Sequence, residues 1–366
     1  MMVRLLISAL FAALLGAQNT PDFDQLVKNA DAARDTAKFD EAVSLYQKAL
    51  RLKPDWKQGW WVLGSILYDQ KRYKEGEEAF LPLTVLDPDK SPGWAMAGLC
   101  EFEIKHYQDA LTNLQKAEEL GLPASLFEVT QYHHDLILIR TGQFDRAIGA
   151  ISLVAARKEE NPSLVEAMGI AGLARATLPQ DIPAADHDLV MSLGKAMCDG
   201  AANNSKLAIA EFETLIARYP NVPRLHYLYG LVLLESDTDK ALSEFKRELT
   251  LTPKDARSLI SMAVEYTKRN EYQTALPYAE KAVVDEPKYF AAHATLGKVL
   301  VESQLDLPRG IKELETAVKL SPGNPQCRLA LASAYSKAGR KTEAATQRAE
   351  FLRLRAQNDS ASPGQK

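Results

Sequence analysis

Two adjacent histidines, His133 and His134, are followed directly by Asp135. Two imidazoles and a carboxylate could hold a zinc ion or serve as acid and base, so this triplet is the place where hydrolytic chemistry would sit. Adjacent residues of a helix point about 100° apart, however, so the two rings cannot readily share a metal from one helix. His187 lies between Asp186 and Asp188 and reads as the acidic start of a helix rather than a ligand set. No phosphate-cradling glycine loop, no HExxH and no CxxC occurs. Cys100, Cys198 and Cys327 are 98 and 129 residues apart. The residues that could do chemistry therefore point away from catalysis, and no metal or other cofactor is expected. A metal-dependent hydrolase built on His133, His134 and Asp135 stands as the rival reading from another class.

The chain has 366 residues, 46% of them hydrophobic and 25% charged, which fits neither a disordered polymer nor a multi-span membrane protein. Lys and Arg total 44 against 48 Asp and Glu. With no basic excess to neutralise phosphates, nucleic acid is not an expected partner.

The first residues, Met1 to Arg4, are followed by the apolar run Leu5 to Leu15 and then by Gly16 and Ala17. That run is shorter than the roughly 20 residues that span a bilayer, and it ends in small residues. Residues 1–17 read as a signal peptide with an uncertain cut, because Leu15 occupies a place where a small residue is preferred. Residues 18–22 form a short linker. The protein is expected to be exported, periplasmic or secreted, with no membrane span left once the signal is removed. If the run is instead a first helix of the fold, the protein is cytoplasmic.

Proline placement shows an internal repeat. Pro54, Pro88 and Pro123 are 34 and 35 residues apart, and Pro220, Pro253, Pro287 and Pro322 are 33, 34 and 35 apart. In the same register a bulky residue, then Leu or Ala, then glycine recurs as Trp60, Leu63, Gly64, as Trp94, Ala97, Gly98 and as His293, Leu296, Gly297. A small residue followed four on by a bulky one recurs as Ala42 and Tyr46, Gly76 and Phe80, Ala110 and Leu114, Ala208 and Phe212, and Ala241 and Phe245. Each unit reads as two antiparallel helices. The small residues allow close approach, the bulky ones fill the gap, and proline ends the second helix.

This pattern resembles the tetratricopeptide repeat family, whose unit is 34 residues long. The resemblance implies an all-α fold: an α-solenoid of stacked antiparallel helix pairs with a concave groove. Residues 23–161 are expected to form an N-terminal block of about four units and residues 187–354 a C-terminal block of about five. Residues 162–186 break the pattern with a helix rich in small residues and no obvious partner. They are either an orphan or truncated unit or an ordinary diverged repeat. Residues 355–366 read as a disordered tail. Since a solenoid brings only neighbouring repeats together, the cysteines are expected to be buried free thiols.

The resemblance also implies where a partner binds, on the first helices that line the groove. The family's groove positions fall on Trp61, Tyr68, Leu99, Phe102, Tyr132, Leu136 and Arg140, and in the later block on Tyr227, Arg257 and Lys298, with Ser65, Arg224 and Leu231 among their neighbours. Trp60 and Trp94 are assigned to packing. Each groove aromatic is either contact surface or inter-repeat core, with Trp61, Tyr68 and Phe102 favoured as contacts. Val27 and Asp31, then Trp61 and Ser65, occupy the places where one subclass clamps the carboxyl terminus of chaperones with Lys and Asn, so that ligand is disfavoured. The expected function is a non-catalytic interaction scaffold holding a protein or peptide with an apolar or amphipathic segment. A structural assembly subunit of an envelope complex is the alternative.

Overall fold

The computed structural model of the chain describes residues 22–157 and 161–360. The expected signal peptide lies outside the described residues. Among those residues the chain is all α, and it divides into two compact units, one up to Ile137 and one from Leu138. This division falls inside the helix over residues 124–140.

Unit 1 holds α1 (Phe23–Asp35), α2 (Phe39–Leu52), α3 (Lys57–Asp69), α4 (Tyr73–Leu86), α5 (Ser91–Glu103), α6 (Tyr107–Glu119) and most of α7 (Ala124–Arg140). Helices α1 and α2, α3 and α4, and α5 and α6 pair. Unit 2 continues with α8 (Phe144–Ala155), α9 (Pro162–Gly172), α10 (His187–Ala201), α11 (Ser205–Arg218), α12 (Leu225–Leu233), α13 (Thr238–Leu251), α14 (Ala256–Lys268), α15 (Tyr272–Asp285), α16 (Phe290–Glu302), α17 (Leu307–Leu320), α18 (Pro325–Lys337) and α19 (Lys341–Ser360). From α12 onward the helices pair in sequence order, α12 with α13 through to α18 with α19.

The pairing follows from the small and bulky positions of the repeat. A Cβ at Gly64 would lie 2.7 Å from the Phe80 ring, one at Gly98 2.7 Å from Leu114, and one at Gly230 2.5 Å from Phe245. Phe80, Leu114 and Phe245 are fully buried against these glycines, each worth about 2–3 kcal/mol of apolar burial. Between the helices of a pair the chain turns through one left-handed residue, such as Lys71 (φ 58°) or Lys105 (φ 66°). The amide after it reaches back into the helix, Arg72 N to Leu67 O at 2.9 Å and His106 N to Glu101 O at 2.8 Å, so the last carbonyls find donors without a glycine.

A second device joins one repeat to the next. The residue six places after a closing proline donates a side-chain N–H to that proline's carbonyl: Trp60 to Pro54 (2.7 Å), Trp94 to Pro88 (3.0 Å), His226 to Pro220 (3.1 Å), His293 to Pro287 (3.0 Å) and Arg328 to Pro322 (3.3 Å). The packing role expected of Trp60 and Trp94 thus includes a hydrogen bond. After Pro123 and Pro253 the position holds Val129 and Leu259, which have no donor to offer. His226 also meets Glu244 Oε2 at 2.6 Å. Because a carbonyl and a carboxylate both accept, both ring nitrogens must carry protons, and the hydrogen bond to Glu244 raises the His226 pKa accordingly.

The structure differs from expectation in the middle and at the end. Helix α9 has a partner, α10, and the small residues that set it apart are the reason. A Cβ at Gly169 would lie 1.9 Å from Val190 O, and one at Gly194 1.8 Å from Val165 O, so the two backbones touch. Helix α10 also packs on α11. At the C-terminus α19 runs to Ser360, through the first half of the segment expected as tail. The three cysteines are free, with Cys100 and Cys327 buried and Cys198 only half-buried.

Gly194→Ala is expected to cost about 3 kcal/mol in urea unfolding followed by circular dichroism, because a backbone oxygen cannot yield as a flexible side chain can. Gly149→Ala, where an added Cβ meets nothing within 4 Å on helix α8, should instead stabilise by about 0.5–1 kcal/mol.

Candidate partner-binding surface

Helix α3 presents Trp61 half-buried, its ring edge-on to Phe80 at 5.6 Å. It walls two clefts. One, of about 600 Å³, is closed by Gln58, Leu83, Pro92, Pro123 and Leu126, with Lys57, Asp87 and Lys90 at its rim. The other, of about 360 Å³, lies toward Phe39, Ile66 and Asp69. Lys57 pairs with Asp87 at 3.2 Å. The walls come largely from helix starts and inter-repeat turns: Pro92 sits in the first turn of α5, and Pro123 just precedes α7. These wall residues do not stand at the family's groove positions, so sequence reasoning missed them. The first-turn prolines were the available signal.

The other expected contacts divide. Leu99 is 1% exposed, Leu136 4% and Phe102 8%, so these three are core rather than groove surface. Phe102 is held between Tyr107, at 5.7 Å, and the His133 ring, which meets it edge-on at 4.7 Å. Burial takes the apolar area of Leu99, Leu136 and Phe102 out of water more completely than a groove position would. Tyr68 is half-buried and edge-on to Tyr73 at 5.5 Å, with burial pushing its hydroxyl up to about 12. Tyr132 is half-buried beside His133.

In unit 2, Arg140 is exposed and donates to Ala176 O at 3.0 Å. Tyr227 leans on Phe245 at 6.0 Å, and Arg257 pairs with Asp145 at 3.2 Å. Tyr227 and Arg257 lie within each other's electrostatic field. Lys298 is exposed and stands apart from them, beside Cys327. A further cleft of about 440 Å³ runs along α9 and α10 past Val165, Met191 and Cys198. Burial pushes the Cys198 thiol up to about 11, which leaves it protonated and unreactive.

The histidine triplet does not assemble into a metal centre. His133 Nδ1–H donates to Val129 O at 2.7 Å, and burial lowers that ring's pKa. His134 turns to Glu118 at 2.8 Å. Asp135 is wholly buried, with Gln131 donating to Oδ1 at 3.3 Å while Oδ2 has no partner. Among the described residues no group of three or more His, Cys, Asp or Glu side chains could hold a metal ion, and no helix is long and apolar enough to cross a membrane.

Paired helices at this period, joined through glycine and bulky side chains, define a helical-repeat fold. Residues 27–91 and 199–256 match the family model described as tetratricopeptide repeat, so these two stretches carry repeats of that kind. Among solved structures, MamA from residue 41 onward, from Desulfovibrio magneticus RS-1, is 20% identical with a TM-score of 0.41, covering 46% of this chain and 96% of that one. A MamA RS-1 double mutant is 21% identical with a TM-score of 0.41 over 46% and 96% of the two chains, and a further MamA crystal structure is 17% identical at 0.39 over 45% and 96%. Likenesses this distant carry no argument about function. No curated protein matches the chain.

Burial pushes the Asp135 carboxyl up to about 7, so its ionisation opposes folding. A folded-state pKa above the unfolded value means stability that is full below about pH 4 and is lost as pH rises through about 7. Asp135→Asn removes that loss. Its stabilisation over the parent is expected to grow across this window to as much as about 4 kcal/mol, at about 1.4 kcal/mol per pH unit, in urea melts at pH 4, 6 and 8. A flat difference would show that Asp135 ionises without cost.

Proposed function

We propose that the protein is a non-catalytic scaffold outside the cytosol, and that unit 1 holds an apolar or amphipathic segment of a partner protein against Trp61. The observation that carries this reading is the place of Trp61, half-exposed between two clefts whose larger one is mainly apolar. Tryptophan in such a position is the residue type that dominates binding hot spots. The lysines and Asp87 at the rim supply polar edges suited to the hydrophilic face of an amphipathic segment. Export rests on the apolar run Leu5 to Leu15 with its small-residue end. No catalytic step is proposed.

A photo-cross-linking residue at the exposed Gln58 should capture the partner in intact cells. Trp61→Ala in that background is expected to reduce capture more than tenfold, as loss of a hot-spot side chain worth about 2 kcal/mol or more would, with little change in melting. Phe102→Ala serves as the contrast, expected to cost about 3–5 kcal/mol of stability as a core truncation. Undiminished capture by the Trp61 variant would reject the clefts as the binding surface. Amino-terminal sequencing of the mature protein tests export: a start near residue 18 supports it and an intact Met1 opposes it.

A further inference from the structure

In unit 2 a set of hydrogen-bond donors is gathered whose nearby acceptors are already engaged. Arg224 directly precedes α12 in a left-handed conformation (φ 76°, ψ −19°). A left-handed arginine is strained, and such strain persists only where the surroundings impose it. They do so through its own groups: the backbone N–H donates to Glu248 Oε1 at 2.9 Å, and Nε donates to Gly172 O at 2.6 Å. Its Nη1 and Nη2 have no acceptor among the described residues, and no carboxylate lies within ion-pair distance of them.

Arg257 stands at the equivalent place one repeat on, at the start of α14, and Tyr289 directly precedes α16. Tyr227 lies in the first turn of α12. Neither tyrosine hydroxyl has a partner among the described residues. The four side chains feel one another electrostatically. Burial and then the charge of Arg257 lower the Arg224 pKa, while burial keeps both tyrosines protonated as donors, Tyr227 pushed up to about 12.

Three carboxylates are close, and each has a task. Glu248 is fully buried and accepts from Arg224 N, from Tyr227 N at 3.4 Å and from Thr252 Oγ1 at 3.1 Å. Asp255 Oδ2 accepts from Ser258 N at 2.8 Å. Asp145 alone faces a guanidinium, that of Arg257, and its side chain is 62% exposed. Two cations that feel each other's charge, with one exposed counter-ion paired to Arg257 alone, are relieved by a further carboxylate, and guanidinium forks are suited to bind one through two hydrogen bonds.

We propose that Arg224, Arg257, Tyr227 and Tyr289 form a binding site for the side-chain carboxylates of an acidic segment of a partner protein, with Asp145 occupying part of it until the partner displaces it. The site lies in unit 2 and stands independently of the Trp61 reading in unit 1.

The test uses the full mature chain and two fluorescein-labelled probes, a decaglutamate peptide with an amidated end and a decaglutamine peptide with a free terminal carboxylate, in polarisation titrations at low salt. Wild-type protein is expected to bind decaglutamate and not decaglutamine. Arg257→Gln and Arg224→Gln should each weaken binding about tenfold or more, as loss of a charge-assisted hydrogen bond does. Asp145→Asn should strengthen it several-fold, an effect that a purely structural ion pair would not give. Lys312→Gln, at an exposed position outside the groove set, makes the same change in net charge as the arginine variants and should leave affinity unaltered. If Arg224→Gln melts early, Arg257→Gln and Asp145→Asn decide the matter by their opposite signs. Equal binding of decaglutamine, no binding of decaglutamate, an unchanged or weaker Asp145→Asn protein, or an equal loss in Lys312→Gln would each overturn the proposal.

Discussion

Everything in this molecule depends on helices approaching until a side chain of one meets the backbone of the next. A two-helix unit of 34 residues has too little interior to be stable alone, so its free energy comes from stacking. Stacking requires small residues at fixed places. Gly64, Gly98 and Gly230 each leave the space that a single aromatic or leucine side chain fills. Gly169 and Gly194 go further and bring carbonyl oxygens to where a Cβ would be. Side-chain volume at these points sets the distance between helices, and that distance fixes what remains open between them.

What remains open is narrower than a groove lined by every first-helix residue. Leu99, Phe102 and Leu136 are consumed in packing, whereas Trp61 stays accessible because Leu83, Pro92 and Pro123 stand back from it. In unit 2 Arg224, Arg257 and two tyrosines gather polar groups, while the cleft along α9 and α10 is mainly apolar. The two units thus offer surfaces of different chemistry from one repeated plan.

The repeat was legible because its internal packing recurs in register, so each proline, glycine and bulky residue is written several times along the chain. The small-residue character of 163–178 was legible too, but its partner was not, since the contact of Gly169 with Val190 and of Gly194 with Val165 occurs once. The same holds for the candidate sites. Asp145 and Arg257 are 112 residues apart and no periodicity links them. Tyr289 ends one repeat and Arg224 begins another, and nothing in the sequence marks Arg224 as left-handed. Burial at the groove positions was equally hidden: Tyr68 and Phe102 hold the same family position, yet only Phe102 is enclosed, and the neighbours that enclose it differ from repeat to repeat.

The hydrogen bonds to the closing prolines give the chain a graded mechanical character. Each is a hinge pin between successive repeats, and the pins are made of different materials. Indole N–H groups at Trp60 and Trp94 keep their protons at any ordinary pH, so those hinges have constant stiffness. The pin at His226 needs both ring protons to hold Pro220 and Glu244 together, and alkali removes one of them. After Pro123 and Pro253 no pin exists. Under tension or acid–base stress, compliance would be concentrated at a few known hinges rather than shared evenly along the helices.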